Sequence, residues 1–105
     1  MASKKLLAGI DAGTTGVTVM IADTEGNIVG TAYREYPCSY PHPGWVEQDM
    51  DLMWTHMCEA SKEVLSKTGV DTGEIASLGL SSQRGTFVCV DKDLNPLADS
   101  IVWSC

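Results

Sequence analysis

The chain has 105 residues, is 44% hydrophobic and carries 14 Asp and Glu against 7 Lys and Arg, a net charge of -7. That length holds one compact domain and not two, the apolar fraction is enough to build a core, and the negative balance has the wrong sign for gripping a nucleic-acid backbone. It also repels nucleoside phosphates at long range, so a phosphate site here has to be local, made from backbone donors, hydroxyls or a metal ion.

Lys4 and Lys5 precede an apolar stretch broken by Gly9 and Asp11, far short of the roughly 20 residues a bilayer span needs. Neither a signal peptide nor a membrane span is expected. Lys5 to Ile10 and Val17 to Ala22 read as two short strands, with Asp11-Ala12-Gly13-Thr14-Thr15-Gly16 as turn chemistry between them. A second turn, Asp23 to Asn27, leads into a third strand-like run, Ile28 to Tyr36, which makes a three-stranded antiparallel meander. Pro37 to Gln48 holds three of the four prolines and Gly44, a composition that predicts an irregular surface loop.

From Met50 to Thr68 the period becomes helical. Met50, Met53, Trp54, Met57, Ala60, Val64 and Leu65 recur at three-and-four spacing and predict one buried face. Asp49 is placed to cap the first turn, Asp51 and Lys67 suit the two ends of the dipole, and Gly69 stands where a left-handed cap belongs. Ile75 to Ser81 and Thr86 to Val90 follow as short strands around Ser82-Gln83-Arg84-Gly85, then a turn at Asp91 to Pro96, then a strand starting at Ile101-Val102-Trp103. No closing helix follows to cover the second face of this sheet, so the chain reads as the front part of something larger. An open face of that kind predicts self-association of the isolated chain, as a homo-oligomer or an aggregate. Cys38, Cys58, Cys89 and Cys105 lie far apart with no CxxC. Free thiols in a reducing cytoplasm are the direct reading, and two disulfides in a secreted domain the alternative.

The segment from Gly9 to Gly16 concentrates one carboxylate, three glycines and two hydroxyls at the end of a strand. Gly13 and Gly16 would let the backbone turn with its amides outward, as an anion nest requires, and the Thr14 and Thr15 hydroxyls could donate to phosphate oxygens. Asp11 could hold Mg²⁺, which would neutralise a triphosphate locally despite the acidic surface. A plain hairpin turn uses the same residue types, so spacing alone leaves both readings open. Neither the Walker pattern GxxxxGK[ST] nor GxGxxG is present.

Four blocks in order, Asp11 to Thr15, Tyr40 to Asp49, Gly79 to Arg84 and Ile101 to Trp103, make nearly the whole chain resemble the amino-terminal part of the FGGY-family carbohydrate kinases, the group containing glycerol kinase and xylulokinase. The resemblance implies an α/β fold of the ribonuclease-H-like, actin-like ATPase class. This chain would be part of its first domain: residues 1–105, a three-stranded antiparallel meander, one helix and further strands. It implies ATP and Mg²⁺ as cofactors, a sugar or polyol as substrate, and no nucleic acid or membrane partner. Asp11 would hold the metal, and Gly13, Thr14 and Thr15 would contact the ATP phosphates. Arg84 would hydrogen-bond substrate hydroxyls through its fixed fork of donors, and Trp103 would pack a ring face on the C–H bonds of a polyol. The adenine site and the catalytic aspartate belong to later segments of the family, so no catalytic residue is expected here.

Two positions depart from the glycerol kinase pattern. Thr18 stands where an arginine is usual, and Gly85 stands where a glutamate accepts from a glycerol hydroxyl, which points to a longer polyol or a pentulose. The residues taken singly have plainer readings. Arg84 would cap a turn or pair with an acidic surface, and Trp45, Trp54 and Trp103 would be packing residues, Trp54 on the core face of the helix. Glu47 and Asp49 suit capping better than acid-base work, and His42 and His56 read as surface residues. A noncatalytic actin-like nucleotide-binding or interaction module is the alternative function, and a self-contained binding domain conflicts with the uncovered sheet.

Overall fold

The computed structural model describes residues 5–104, so the expectations on Lys4 and on the Cys105 thiol lie outside the described residues. Strands β1 (Leu6–Ala12), β2 (Gly16–Asp23) and β3 (Ile28–Glu35) form the antiparallel meander, and β5 (Ile75–Ser82) joins it parallel to β1, giving the order β3-β2-β1-β5. Helix α1 (Met50–Thr68) is the crossover between them. β4 (Glu47–Gln48) and β6 (Ser100–Ile101) make a separate two-stranded ribbon. No helix among the described residues is long and apolar enough to cross a membrane.

The helix ends where its sequence says it should. The Asp49 carboxylate accepts from the amides of Asp51 at 2.9 Å and Leu52 at 3.2 Å, and Gly69, at φ 69°, donates back to the Leu65 carbonyl at 3.0 Å. Its inward stripe is Ala60 and Val64, both buried, with Met53 and Met57 half-buried. The C-terminal half packs Ala60 and Val64 onto Val19, Ile21 and Ala32, while the N-terminal half packs Leu52, Met53 and Met57 under Ala12, Val17 and Tyr36. The second cluster therefore sits directly beneath the β1–β2 turn.

Four expectations are corrected. Trp54 is 65% exposed rather than in the core, because it lies about 100° around the helix from Met53 and so off the buried stripe. Thr86 to Val90 forms no strand and makes only single bridges, Phe87 to Ile101 and Val90 to Pro96. The last strand is the pair Ser100–Ile101. The Pro-rich segment is not surface loop throughout, because its end becomes β4 and buries Gln48, which is 1% exposed. β3 and β5 are the two edges of the sheet, and on β5 Leu78 and Leu80 are exposed.

Gly16 is dictated by packing, since a Cβ there would lie 2.4 Å from the Arg34 carbonyl oxygen and 2.5 Å from the Tyr33 hydroxyl. The contrast between Val64 and Trp54 tests the helix orientation. Val64→Ala is expected to cost about 2 kcal/mol through lost burial and a cavity, whereas Trp54→Ala should stay within about 0.5 kcal/mol, as read by urea denaturation of both variants.

Candidate functional site

The turn between β1 and β2 is shorter than its turn-forming residues suggest. Asp11 and Ala12 remain in β1, with Asp11 opposite Thr18 on one side and in register with Ser81 of β5 on the other. Only Gly13 to Thr15 leave the sheet. Three groups hold their carbonyls on the protein side. The Tyr36 hydroxyl donates to the Gly13 oxygen, Gln48 Nε2 donates to the Thr14 oxygen at 2.6 Å, and the Tyr36 amide donates to the Thr15 oxygen at 3.2 Å. In a trans peptide the next N–H points opposite to the carbonyl, so anchoring the Gly13 and Thr14 oxygens turns the Thr14 and Thr15 amides outward. Those two amides make no hydrogen bond among the described residues.

The origin of the outward amides therefore differs from the glycine nest expected from sequence. The Gly13 amide is itself taken by the Gly16 oxygen at 3.0 Å, and neither glycine has a positive φ. The Thr14 hydroxyl is also engaged. It donates to Gln83 Oε1 at 3.0 Å and accepts from the Trp103 indole Nε1 at 2.9 Å. Gln83 in turn donates through Nε2 to Gln48 Oε1 at 2.7 Å, and its backbone amide holds the Ala12 oxygen at 3.1 Å. The Thr15 hydroxyl faces Tyr33 Oη at 3.4 Å.

One cleft of about 450 Å³ is lined by Asp11, Gly13, Thr14, Gln83, Arg84 and Trp103, together with Ser82. It gathers every site residue singled out from sequence except Thr15, which lines a separate, wider opening with Tyr36 and Cys38. Arg84 is exposed and makes no hydrogen bond or ion pair among the described residues. Trp103 is 60% exposed and not a packing residue. Its backbone amide donates to Thr86 Oγ1 at 3.1 Å. Gly85 lies at φ 69°, and a Cβ there would approach Trp103 Cβ to 3.3 Å, so the backbone and the indole both favour glycine at that position.

Asp11 is exposed, and no cluster of three His, Cys, Asp or Glu suited to a metal is present among the described residues. A single carboxylate facing a cleft fits Mg²⁺, which keeps most of its waters and takes its other ligands from substrate phosphates. The glutamines and Tyr36 were missed by sequence reasoning. Gln48 and Gln83 lie inside two of the family-like blocks, which is the signal that could have drawn attention to them.

Residues 6–105 match the family described as the FGGY family of carbohydrate kinases, N-terminal domain. The chain belongs to the FGGY family. It is 40% identical over its whole length to a glycerol kinase of Desulforamulus reducens and 41% identical over 99% of its length to one of Aeromonas hydrophila, covering 21% of each. It thus spans about a fifth of the length of the curated relatives it matches. Among solved structures it is similar to a xyloylose kinase from Brucella ovis, with a TM-score of 0.89 and 31% identity over 94% of this chain and 21% of that one. Plasmodium falciparum glycerol kinase with ADP superposes with a TM-score of 0.84 and 26% identity over 98% of this chain and 21% of that one. These FGGY relatives have the actin-like ATPase fold, and the chain is a partial α/β domain of it with a mixed sheet and one helix.

Tyr36, which anchors two of the three carbonyls, provides a pH test. Burial, with the Asp11 charge second, pushes its phenol from 10.0 up to about 12. The folded chain therefore holds this proton more tightly than the unfolded chain, and the stability it contributes is complete below pH 10.0 and lost as pH rises towards about 12. The thermal midpoint of the native chain is expected to fall more steeply over that interval than that of Tyr36→Phe, so the gap between the two narrows.

Proposed function

We propose that the protein to which this chain belongs transfers the γ-phosphoryl group of ATP to a hydroxyl of a sugar or polyol. The observation that carries this reading is the single cleft joining the outward Thr14 amide and the Asp11 carboxylate to the exposed Arg84 guanidinium and the exposed Trp103 indole. An anion site and a polyol site meet there, which is the arrangement an in-line transfer between nucleotide and alcohol needs. The family membership supports the same reaction class.

In this reading the Thr14 and Thr15 amides, with Gly13 beside them, bind phosphate oxygens, and the Thr14 hydroxyl acts as a bridge inside the wall. Asp11 would hold Mg²⁺ through water, and the ion would offset the charge of the phosphates. Arg84 would donate to substrate hydroxyls and Trp103 would cover an apolar face of the carbon chain. Residues 1–105 would form the front part of the first domain and one wall of the cleft, with the remaining groups supplied by further chain. The free thiols of Cys38, Cys58 and Cys89 support a reducing compartment, the cytoplasm. Gly85, which leaves no carboxylate beside Trp103, supports an acceptor longer than glycerol, a polyol or a pentulose.

ADP release from Mg-ATP by the protein to which this chain belongs, measured across glycerol, erythritol, pentitols, xylulose and ribulose, is expected to respond most strongly to a member longer than glycerol. Glycerol as the best acceptor would overturn the reading of Gly85. Arg84→Ala in the same protein should raise the sugar KM about 10- to 100-fold, the range for a lost charged hydrogen bond, with ATP affinity retained. Equal loss of both, or ATP binding with no acceptor at all, would favour a noncatalytic nucleotide-binding module.

A further inference from the structure

The bonds around Thr14 close into a ring. Gln48 Nε2 donates to the Thr14 carbonyl, Gln83 Nε2 donates to Gln48 Oε1, and the Thr14 hydroxyl donates to Gln83 Oε1. The direction of every bond is forced by the chemistry of its ends. A backbone carbonyl can only accept, so Gln48 must present its amide nitrogen there and its oxygen to Gln83. Gln83 must then answer with nitrogen, which leaves its oxygen towards Thr14, and the Thr14 proton is committed. An indole N–H can only donate, and Trp103 meets the lone pair that this commitment leaves on the Thr14 oxygen. Gln48 is buried, at 1% exposure, and no buried side-chain polar atom among the described residues lacks a partner. A fully satisfied network of this kind is rigid, and breaking one member leaves the others unpaired.

We propose that Gln48 and Gln83 are positioning residues that join the phosphate turn to the Trp103 indole, so that the two walls of the cleft move as one body. Among the described residues Trp103 hydrogen-bonds the turn through the Thr14 hydroxyl, whose direction is set by two side-chain amides that hydrogen-bond neither the indole nor the outward N–H groups. A sugar that orders Trp103 would by that route also order the Thr14 and Thr15 amides. The role in catalysis rests on the kinase reading above, whereas the ring itself does not.

The first test separates the two. The chain contains three tryptophans, and Trp45, Trp54 and Trp103 are similarly exposed, at 50%, 65% and 60%. Among the described residues only Trp103 has a bonded indole N–H. In the ¹⁵N-labelled chain its indole proton is expected to exchange at least about tenfold more slowly than the other two, and Gln48→Met, at a residue that makes no hydrogen bond to the indole, should remove that protection. Three indoles exchanging alike, or protection unchanged in a folded Gln48→Met, would overturn the ring. The comparison within the native chain stands even if the variant does not fold. In the protein to which this chain belongs, Gln83→Met is expected to lower kcat about tenfold or more with sugar and ATP KM within about threefold. A rise in KM at unchanged kcat would overturn the positioning role. A native protein with no sugar-dependent turnover would sink the kinase reading and leave the ring to be judged by exchange alone.

Discussion

The site depends on where three carbonyl oxygens point. A three-residue turn exposes as many acceptors as donors, and an anion is repelled by the first as strongly as it is attracted by the second. Holding the Gly13, Thr14 and Thr15 oxygens against Tyr36 and Gln48 removes that conflict. Peptide planarity then turns the Thr14 and Thr15 amides outward without a left-handed residue in the turn. This explains how a chain with a net charge of -7 can offer a local positive surface built from dipoles alone.

The rest of the fold supplies the anchors. The helix begins immediately after Gln48, so the Asp49 cap that starts α1 also fixes the backbone that aims the Gln48 side chain. Ser100 Oγ donates to the Gln48 oxygen at 3.0 Å and ties the same point to β6, which brings Trp103 back over the turn. Tyr36 arrives from the end of the meander and Gln83 from the end of the parallel strand β5. Both strands run out on the same side of the sheet as β1, so their ends converge on one corner. Packing of Met53 and Met57 beneath Ala12, Val17 and Tyr36 keeps that corner dry from below.

Local elements were readable because their causes are local. The helix limits follow from Asp49 and Gly69, and the meander from short apolar runs separated by Asp and Gly turns, each within a few residues of its effect. The errors occur where the partner is distant. Trp54 matches helical spacing, yet which side of a wide apolar stripe is buried depends on the strands beneath it, and here β2 and β3 meet the stripe through Ala60 and Val64. Thr86 to Val90 has strand-like residues, but it forms single bridges to Ile101 and Pro96 instead of a ladder.

By itself the sequence determined the family, the hairpin and helix, and the residues Asp11, Gly13, Thr14, Arg84 and Trp103 that meet in the cleft. It did so because motif chemistry and periodicity are written in neighbouring residues. Only the tertiary structure decided that the Thr14 hydroxyl is a bridge, that Gln48 and Gln83 orient it, and that Arg84 is left exposed at the cleft. Those bonds join residues 34, 35, 69 and 89 positions apart. No local pattern encodes such a separation, because a side-chain amide takes its direction from whichever acceptor the strand order brings to it.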